Sequence, residues 1–323
     1  MPLVFLSPFK KTYSSEIFSL TTIIGLSLLL AAIILPFFAA YSTEYFWQRI
    51  KEYTEQPSVE YYNHYMAYIT KKSTTTPTTY NTYFDSFNDN LNTNFQSICG
   101  QTQNNNCARL NNVYLTSSSI DVDGDGIKDK LILKYDISDT NVFQDASDLD
   151  IKLLFFIKYG LSKKVKLLMT PMIYVDIPIP SNPSGKEIIL NGDLELNQKS
   201  PIISTTISNQ KYFKEDPFEI NYNKASYYDL LYYYNKYKKY NYTINYNYEK
   251  IEKNSNSNNL VITIEMNIPK MQNILYYQSV YDALKYAWMQ YFYIFLPVYL
   301  ILYIIFKFII QNNIFYASMK SDL

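Results

Sequence analysis

The chain has 323 residues, with 29 basic side chains balancing 29 acidic ones, for a formal net charge of +0. That balance gives no support for nucleic-acid binding, which wants a basic face or stripe. A single histidine, His64, excludes multi-histidine metal sites. Tyrosine is abundant and glycine scarce, at 35 and 7 residues. The bias reads as codon drift in an AT-rich genome, with selection for aromatic ligand binding as the sharper alternative.

In chain order, a short polar tail (residues 1–16) precedes an uncharged apolar run at 17–41. A membrane-crossing helix needs about 20 apolar residues for roughly 30 Å of hydrocarbon. The run is longer than the h-region of a signal peptide and lacks a good cleavage site, so it reads as a retained anchor. Ser27 and Ala31, with Gly25 and Ala32 nearby, offer a small-residue face for helix packing. Tyr41, Tyr45, Phe46 and Trp47 follow at the headgroup level that suits amphipathic rings.

Residues 42–285 form a polar middle domain. Alternation and β-branched or aromatic content predict strands at 58–69, 112–120, 130–137, 150–159, 163–175, 187–196, 241–250 and 259–268. The Thr/Asn-rich stretch 72–110 reads as a long flexible surface loop. It holds the two cysteines, Cys99 and Cys107, close enough in sequence to form a disulfide in an oxidising lumen, or to stay as free thiols. Asn191-Gly192-Asp193 reads as a tight turn or bulge. One helix is expected after Ser226 as cap, with Asp229 in its first turn and Tyr227, Leu230, Leu231, Tyr234 and Tyr237 on one face. Its Lys236, Lys238 and Lys239 read as a solvated face. The expected fold is a membrane protein whose two transmembrane helices flank a mainly-β, antiparallel sandwich-like domain carrying one packed helix.

A second uncharged run at 286–306 contains Pro297 and is followed by a tail, 307–323. Tyr277, Tyr281, Leu284 and Trp288 recur at helical spacing, predicting an interfacial helix over 278–286 that continues into the span. Two crossings put both tails on one side. Lys10, Lys11, Lys307 and Lys320 flank the tail side; Arg49, Lys51 and Lys285 flank the other, so charge is nearly tied. The sequon Asn241-Tyr242-Thr243 tips the reading toward cytosolic tails and an extracellular or lumenal middle domain, where Asn241 is a glycosylation acceptor.

One motif carries explicit chemistry. Asp121, Asp123, Asp125 and Asp129 follow the pattern DxDxDGxxD, and the Ile127 carbonyl adds an oxygen. Carboxylates at alternate positions converge when the chain curls, and calcium takes six to eight hard oxygens. Ile132 stands where an EF-hand has its bidentate glutamate, and a strand pattern follows, so the loop is not an EF-hand. A structural calcium site is expected here; the alternative is a metal-free hairpin turn. No catalytic constellation, P-loop or dinucleotide fingerprint is present, and His64 reads as a packed or surface histidine.

Together these landmarks resemble the transmembrane protein 231 family. The resemblance rests on Phe46-Trp47 followed by Glu55-Gln56-Pro57; on Asp121, Asp125, Gly126 and Asp129, with Asp123 where a relative has Asn; on Asn191-Gly192-Asp193-Leu194 with Gln198-Lys199 and Pro201; and on Tyr277-Gln278 and Ala287-Trp288-Met289-Gln290-Tyr291. The order spans nearly the whole chain. The 72–110 segment with its cysteines and the short C-terminal tail depart from the family. The resemblance implies a non-enzymatic, structural member of the Meckel syndrome complex at the ciliary transition zone, contributing to the membrane diffusion barrier and to ciliogenesis. Implied partners are tectonic proteins, B9-domain proteins and other transmembrane members of that complex. The competing readings are a two-span channel subunit and a calcium-dependent surface receptor or adhesion protein.

Overall fold

A computed structural model describes residues 11–14, 18–43, 46–73, 79–86, 92, 95, 105–110, 113–138, 146–180, 185–203, 230–254, 259–312, 314 and 318–321. Tyr45, Cys99, Ser226, Tyr227 and Asp229 lie outside the described residues, as does the side chain of Cys107. The described helices are α1 (Leu20–Tyr41), α2 (Leu230–Tyr237) and α3 (Val280–Gln311). The chain divides into a helical unit, residues 1–50 with 278–323, and a β unit, residues 51–277.

In the helical unit, α1 and α3 are long and apolar enough to cross a membrane. Ser19 caps α1 by accepting from Thr22 N–H at 3.3 Å. Ser279 caps α3 in the same way, accepting from Asp282 N–H at 3.1 Å and donating to Asp282 Oδ2 at 2.9 Å. Asp282 thereby sits at the positive end of the helix dipole. At 32 residues α3 is about 48 Å long. That exceeds the roughly 30 Å of hydrocarbon, so its first turns extend past the span as one continuous helix. The two helices pack through small residues: Ala32, Pro36 and Ala40 of α1 and Ala283 and Ala287 of α3 are buried. A Cβ added at Gly25 would meet the Phe306 ring at 3.0 Å. Ser27 is exposed and donates to Ile24 O at 2.8 Å, so the Ser27–Ala31 face is not the contact stripe. The large apolar side chains of both helices, such as Leu26, Leu30, Leu296 and Ile304, remain exposed. Beyond the helices, β1 (Lys11–Ser14) pairs antiparallel with β16 (Ser318–Ser321), joining the two tails in a ribbon.

The β unit is a two-sheet sandwich. Its first strands are β2 (Ile50–Glu55), β3 (Ser58–Ser73), β4 (Thr79–Asp85), β5 (Asn105–Arg109), β6 (Val113–Ile120) and β7 (Lys130–Ile137). There follow β8 (Ala146–Leu161), β9 (Leu167–Met169), β10 (Met172–Pro180), β11 (Lys186–Gln198), β12 (Ile202–Ile203), β13 (Tyr242–Asn254), β14 (Leu260–Asn267) and β15 (Gln272–Tyr277). One sheet has the order β10-β8-β3-β4-β5, with β9 on β8; the other is β13-β11-β14-β7-β6. A small sheet, β12-β15-β2, completes the unit. Most pairs are antiparallel; β11–β14, β4–β5 and β12–β15 are parallel.

Alternate residues face the space between the sheets, as the period of two dictates. Leu131, Leu133, Tyr135 and Ile137 of β7, and Leu260, Ile262, Ile264 and Met266 of β14, join Leu149, Ile151, Leu153, Phe155 and Ile157 of β8 in one core. The opposite face of the first sheet is covered as well. Met66, Leu154, Phe156 and Met172 pack with Leu230, Tyr233 and Tyr237 of α2. Burial on both faces explains why residues 153–157 are continuously apolar rather than alternating.

Several local expectations change. The segment 72–110 contains β4 and β5, because β4, paired with β3 on one side and β5 on the other, buries Asn81, Thr82 and Tyr83 despite their polarity. Asn191-Gly192-Asp193 is not a turn but the middle of β11, held between β13 and β14. The stretch 163–175 is two strands, parted at Thr170-Pro171, where a proline cannot donate to a ladder. On α2 the buried face is Leu230, Tyr233 and Tyr237, while Leu231 is exposed.

Candidate functional site

The DxDxDGxxD segment links β6 to β7, and its shape follows from its residues. Gly124 and Gly126 have φ of 77° and 88°, the left-handed region in which a side chain is strained. The turn is closed by aspartate side chains taking backbone N–H groups. Asp121 accepts from Gly124 at 2.7 Å and from Gly126 at 2.9 Å; Asp125 accepts from Ile127 at 2.7 Å. Asp129 is buried and accepts from Val122 N–H at 2.9 Å. Its own backbone is clamped on both sides, donating to Ile120 O and accepting from Ile268 N–H at 2.8 Å.

One carboxylate oxygen each from Asp121, Asp123 and Asp129 lies within 4.8 Å of the others. Oxygens so spaced can all reach one ion at about 2.3–2.6 Å. Asp125 is not part of that group. Lys270, between β14 and β15, forms an ion pair with Asp123. The Lys270 hydrogen bond holds the Asp123 carboxyl below the usual carboxylate range, and the same bond raises Lys270. The Val122 amide, then Gln56, hold Asp129 low.

Residues of other sequence motifs reach this loop or tie strands elsewhere in the β unit. Gln56 donates to Asp129 Oδ1 at 2.9 Å. Its neighbour Glu55 is 2% exposed and ties the bend before β9: it accepts from Ser162 N–H at 2.8 Å, Lys163 N–H at 2.9 Å and Tyr53 OH at 2.9 Å. Burial first, then Glu55, raises the Tyr53 phenol. Lys164 sits over the Tyr53 and Tyr276 rings at 5.6 and 5.5 Å. Asn267, one residue before Ile268, donates to Asn191 Oδ1 and Asp193 Oδ1 at 3.2 and 3.0 Å. Gln198 pairs twice with the Leu275 backbone, at 3.2 and 2.9 Å. Sequence reasoning had missed Lys270, Asn267 and Gln198 as partners, because their contacts join segments far apart in the chain.

Asn241 is exposed at the start of β13, and Thr243 of its sequon is buried in the strand. His64 is packed: it stacks on Phe156 at 4.6 Å, and its Nε2 lies 3.1 Å from Asp85 Oδ1.

The family model described as Transmembrane protein 231 matches residues 1–319. A protein named Transmembrane protein 231 from Xenopus tropicalis is 26% identical over 298 residues, covering 89% of this chain and 86% of that protein. Among solved structures, a proton-activated chloride channel aligns over 90% of this chain and 98% of that chain, at 6% identity. Its TM-score of 0.25 carries no argument about fold or function.

Proposed function

We propose a role for this chain from the family to which it belongs, the transmembrane protein 231 family: it is a structural, non-enzymatic component of the ciliary transition-zone Meckel syndrome complex. In that role it contributes to the membrane diffusion barrier and to ciliogenesis. Its partners are tectonic proteins, B9-domain proteins and other transmembrane members of the complex. The observation that carries the reading is the family match over residues 1–319, with two helices fit to span a membrane inside the matched stretch.

The proposed topology has cytosolic tails and an extracellular β unit bearing a glycan on Asn241. The tail ribbon supports two crossings, because strands on opposite faces of a bilayer cannot pair. The β6–β7 loop is proposed to hold a structural calcium ion through Asp121, Asp123 and Asp129, with Asp125 and the Ile127 carbonyl as further ligands once Lys270 is displaced. The grouped oxygens support that reading. Calorimetry on the full-length protein should give calcium heat that Asp121→Ala abolishes; no heat from the wild type removes the calcium proposal.

Deleting the protein tests the role itself. The expected result is loss of partner proteins from the transition zone and altered ciliary membrane content. Unchanged composition of both would overturn the reading.

A further inference from the structure

At the end of the helical unit where α1 finishes and α3 begins, the two helices leave a recess of about 750 Å³. Ile33, Ile34 and Phe37 of α1 line it with Leu284 and Tyr291 of α3, and Trp47 lines it from the turn after α1. The size lies within the roughly 300–1,000 Å³ of small-molecule sites, and the lining is apolar, as such sites mostly are. Water gains nothing in an apolar recess, and an empty one leaves its lining without dispersion partners. Two cations lie close to lining residues in sequence. Arg49 lies two residues beyond Trp47, and its carbonyl accepts from Gln278 N–H at 2.8 Å, which ties it to the turn before α3. Lys285 adjoins Leu284 on α3. Both side chains are exposed, and among the described residues neither has an ion-pair or hydrogen-bond partner.

We propose that this recess holds one glycerophospholipid, with an acyl chain against Ile33, Ile34 and Phe37 and its phosphate on Arg49 and Lys285. An apolar slot with two unpaired cations one or two residues from its lining in sequence matches the two ends of such a molecule, and charge-assisted bonds to phosphate are the strong ones. A sterol offers no anion to these cations. Trp47 and Trp288 also line the recess, and indole rings favour the headgroup depth of a bilayer. The proposal stands apart from the ciliary role and needs only that α1 and α3 span a membrane.

The chain's two tryptophans both line the recess, so intrinsic fluorescence reports on it. Full-length protein is reconstituted in phosphatidylcholine with brominated acyl chains and sterol, then washed into lipid-free detergent. The wild type should keep quenched tryptophan and about one phosphate per chain after bulk lipid is gone. Arg49→Ala with Lys285→Ala, both at exposed positions, should lower phosphate retention about tenfold. Ile34→Phe with Leu284→Phe, filling the slot, should abolish quenching. No retained phosphate in the wild type, sterol retained in its place, or retention unchanged in the charge variant would each overturn the proposal.

Discussion

Gly192 sits opposite Tyr248 in the β11–β13 ladder, and a Cβ built there would lie 2.1 Å from Asn247 O. Backbone cannot move aside as a flexible side chain can. Gly192→Ala should therefore destabilise the β unit by about 1–3 kcal/mol or more, read as a lower urea midpoint. Two core tyrosines should respond in opposite ways to loss of the hydroxyl. Tyr246 OH lies 3.0 Å from both Leu190 O and Glu265 O and donates to one at a time. Tyr246→Phe should cost about 1 kcal/mol. Among the described residues the buried Tyr135 OH meets no hydrogen-bond partner, and burial raises its phenol. Tyr135→Phe should be neutral or stabilising in the same titration; a cost like that of Tyr246→Phe would mean that the hydroxyl is satisfied after all. In the acidic loop the signs run together. Asp123 and Asp129 are held low, so their contribution is present above the ordinary carboxylate range and lost as pH falls through the folded values. Lys270 is held high, so its contribution is full below its ordinary value and lost as pH rises through the folded one. The Val122 and Asp125 amide resonances, whose N–H groups are bonded to Asp129 and Asp123, should hold steady near neutral pH and move only below the usual carboxylate range. A shift centred near neutral pH would contradict these assignments.

Elements were legible where one cause acted alone. β7 reads as 130–137 from sequence and is Lys130–Ile137 in the fold, because one face is buried and the alternation is clean. β4 was hidden because its buried residues include Asn81 and Thr82, whose place is set by β3 and β5 on either side. Gly192 carries a turn signal locally, but its need for glycine comes from a strand more than 50 residues later. On α2, Leu230 and Tyr237 lie on the buried face as the sequence predicts, whereas Tyr233 takes the place expected of Leu231. Leu231 outranks Tyr233 in apolarity, yet the aromatic outer face of the sheet takes the tyrosine, and Tyr234 stacks on Tyr174 at 5.4 Å. The loop's aspartates were legible as a group, whereas the Asp123–Lys270 pair spans 147 residues and leaves no local trace. Between helices, Gly25→Leu should drive α1 from Phe306 and lower the detergent melting midpoint. Phe306→Ala should recover part of that loss in the double variant, since the two changes share one contact. Additive losses would place the effect elsewhere.

Along the chain, the β sandwich follows α1 and precedes α3. The sandwich is tied through Glu55, which accepts two backbone N–H groups and the Tyr53 hydroxyl while buried. Removing it leaves these three donors without their charged acceptor, so Glu55→Ala should cost about 1.5–3 kcal/mol and Glu55→Gln less. Gln56 carries the same short motif to the acidic loop through Asp129. These landmarks of the sequence thus hold the ends of strands together, and the role proposed for the chain is a structural one at the ciliary transition zone. The most direct test of that account is the position of a tagged, functional copy in ciliated cells, imaged by expansion microscopy against basal-body and axonemal markers. A ring at the ciliary base, just above the basal body, is the predicted result. Uniform plasma-membrane or endoplasmic-reticulum signal from a copy that restores function would contradict it.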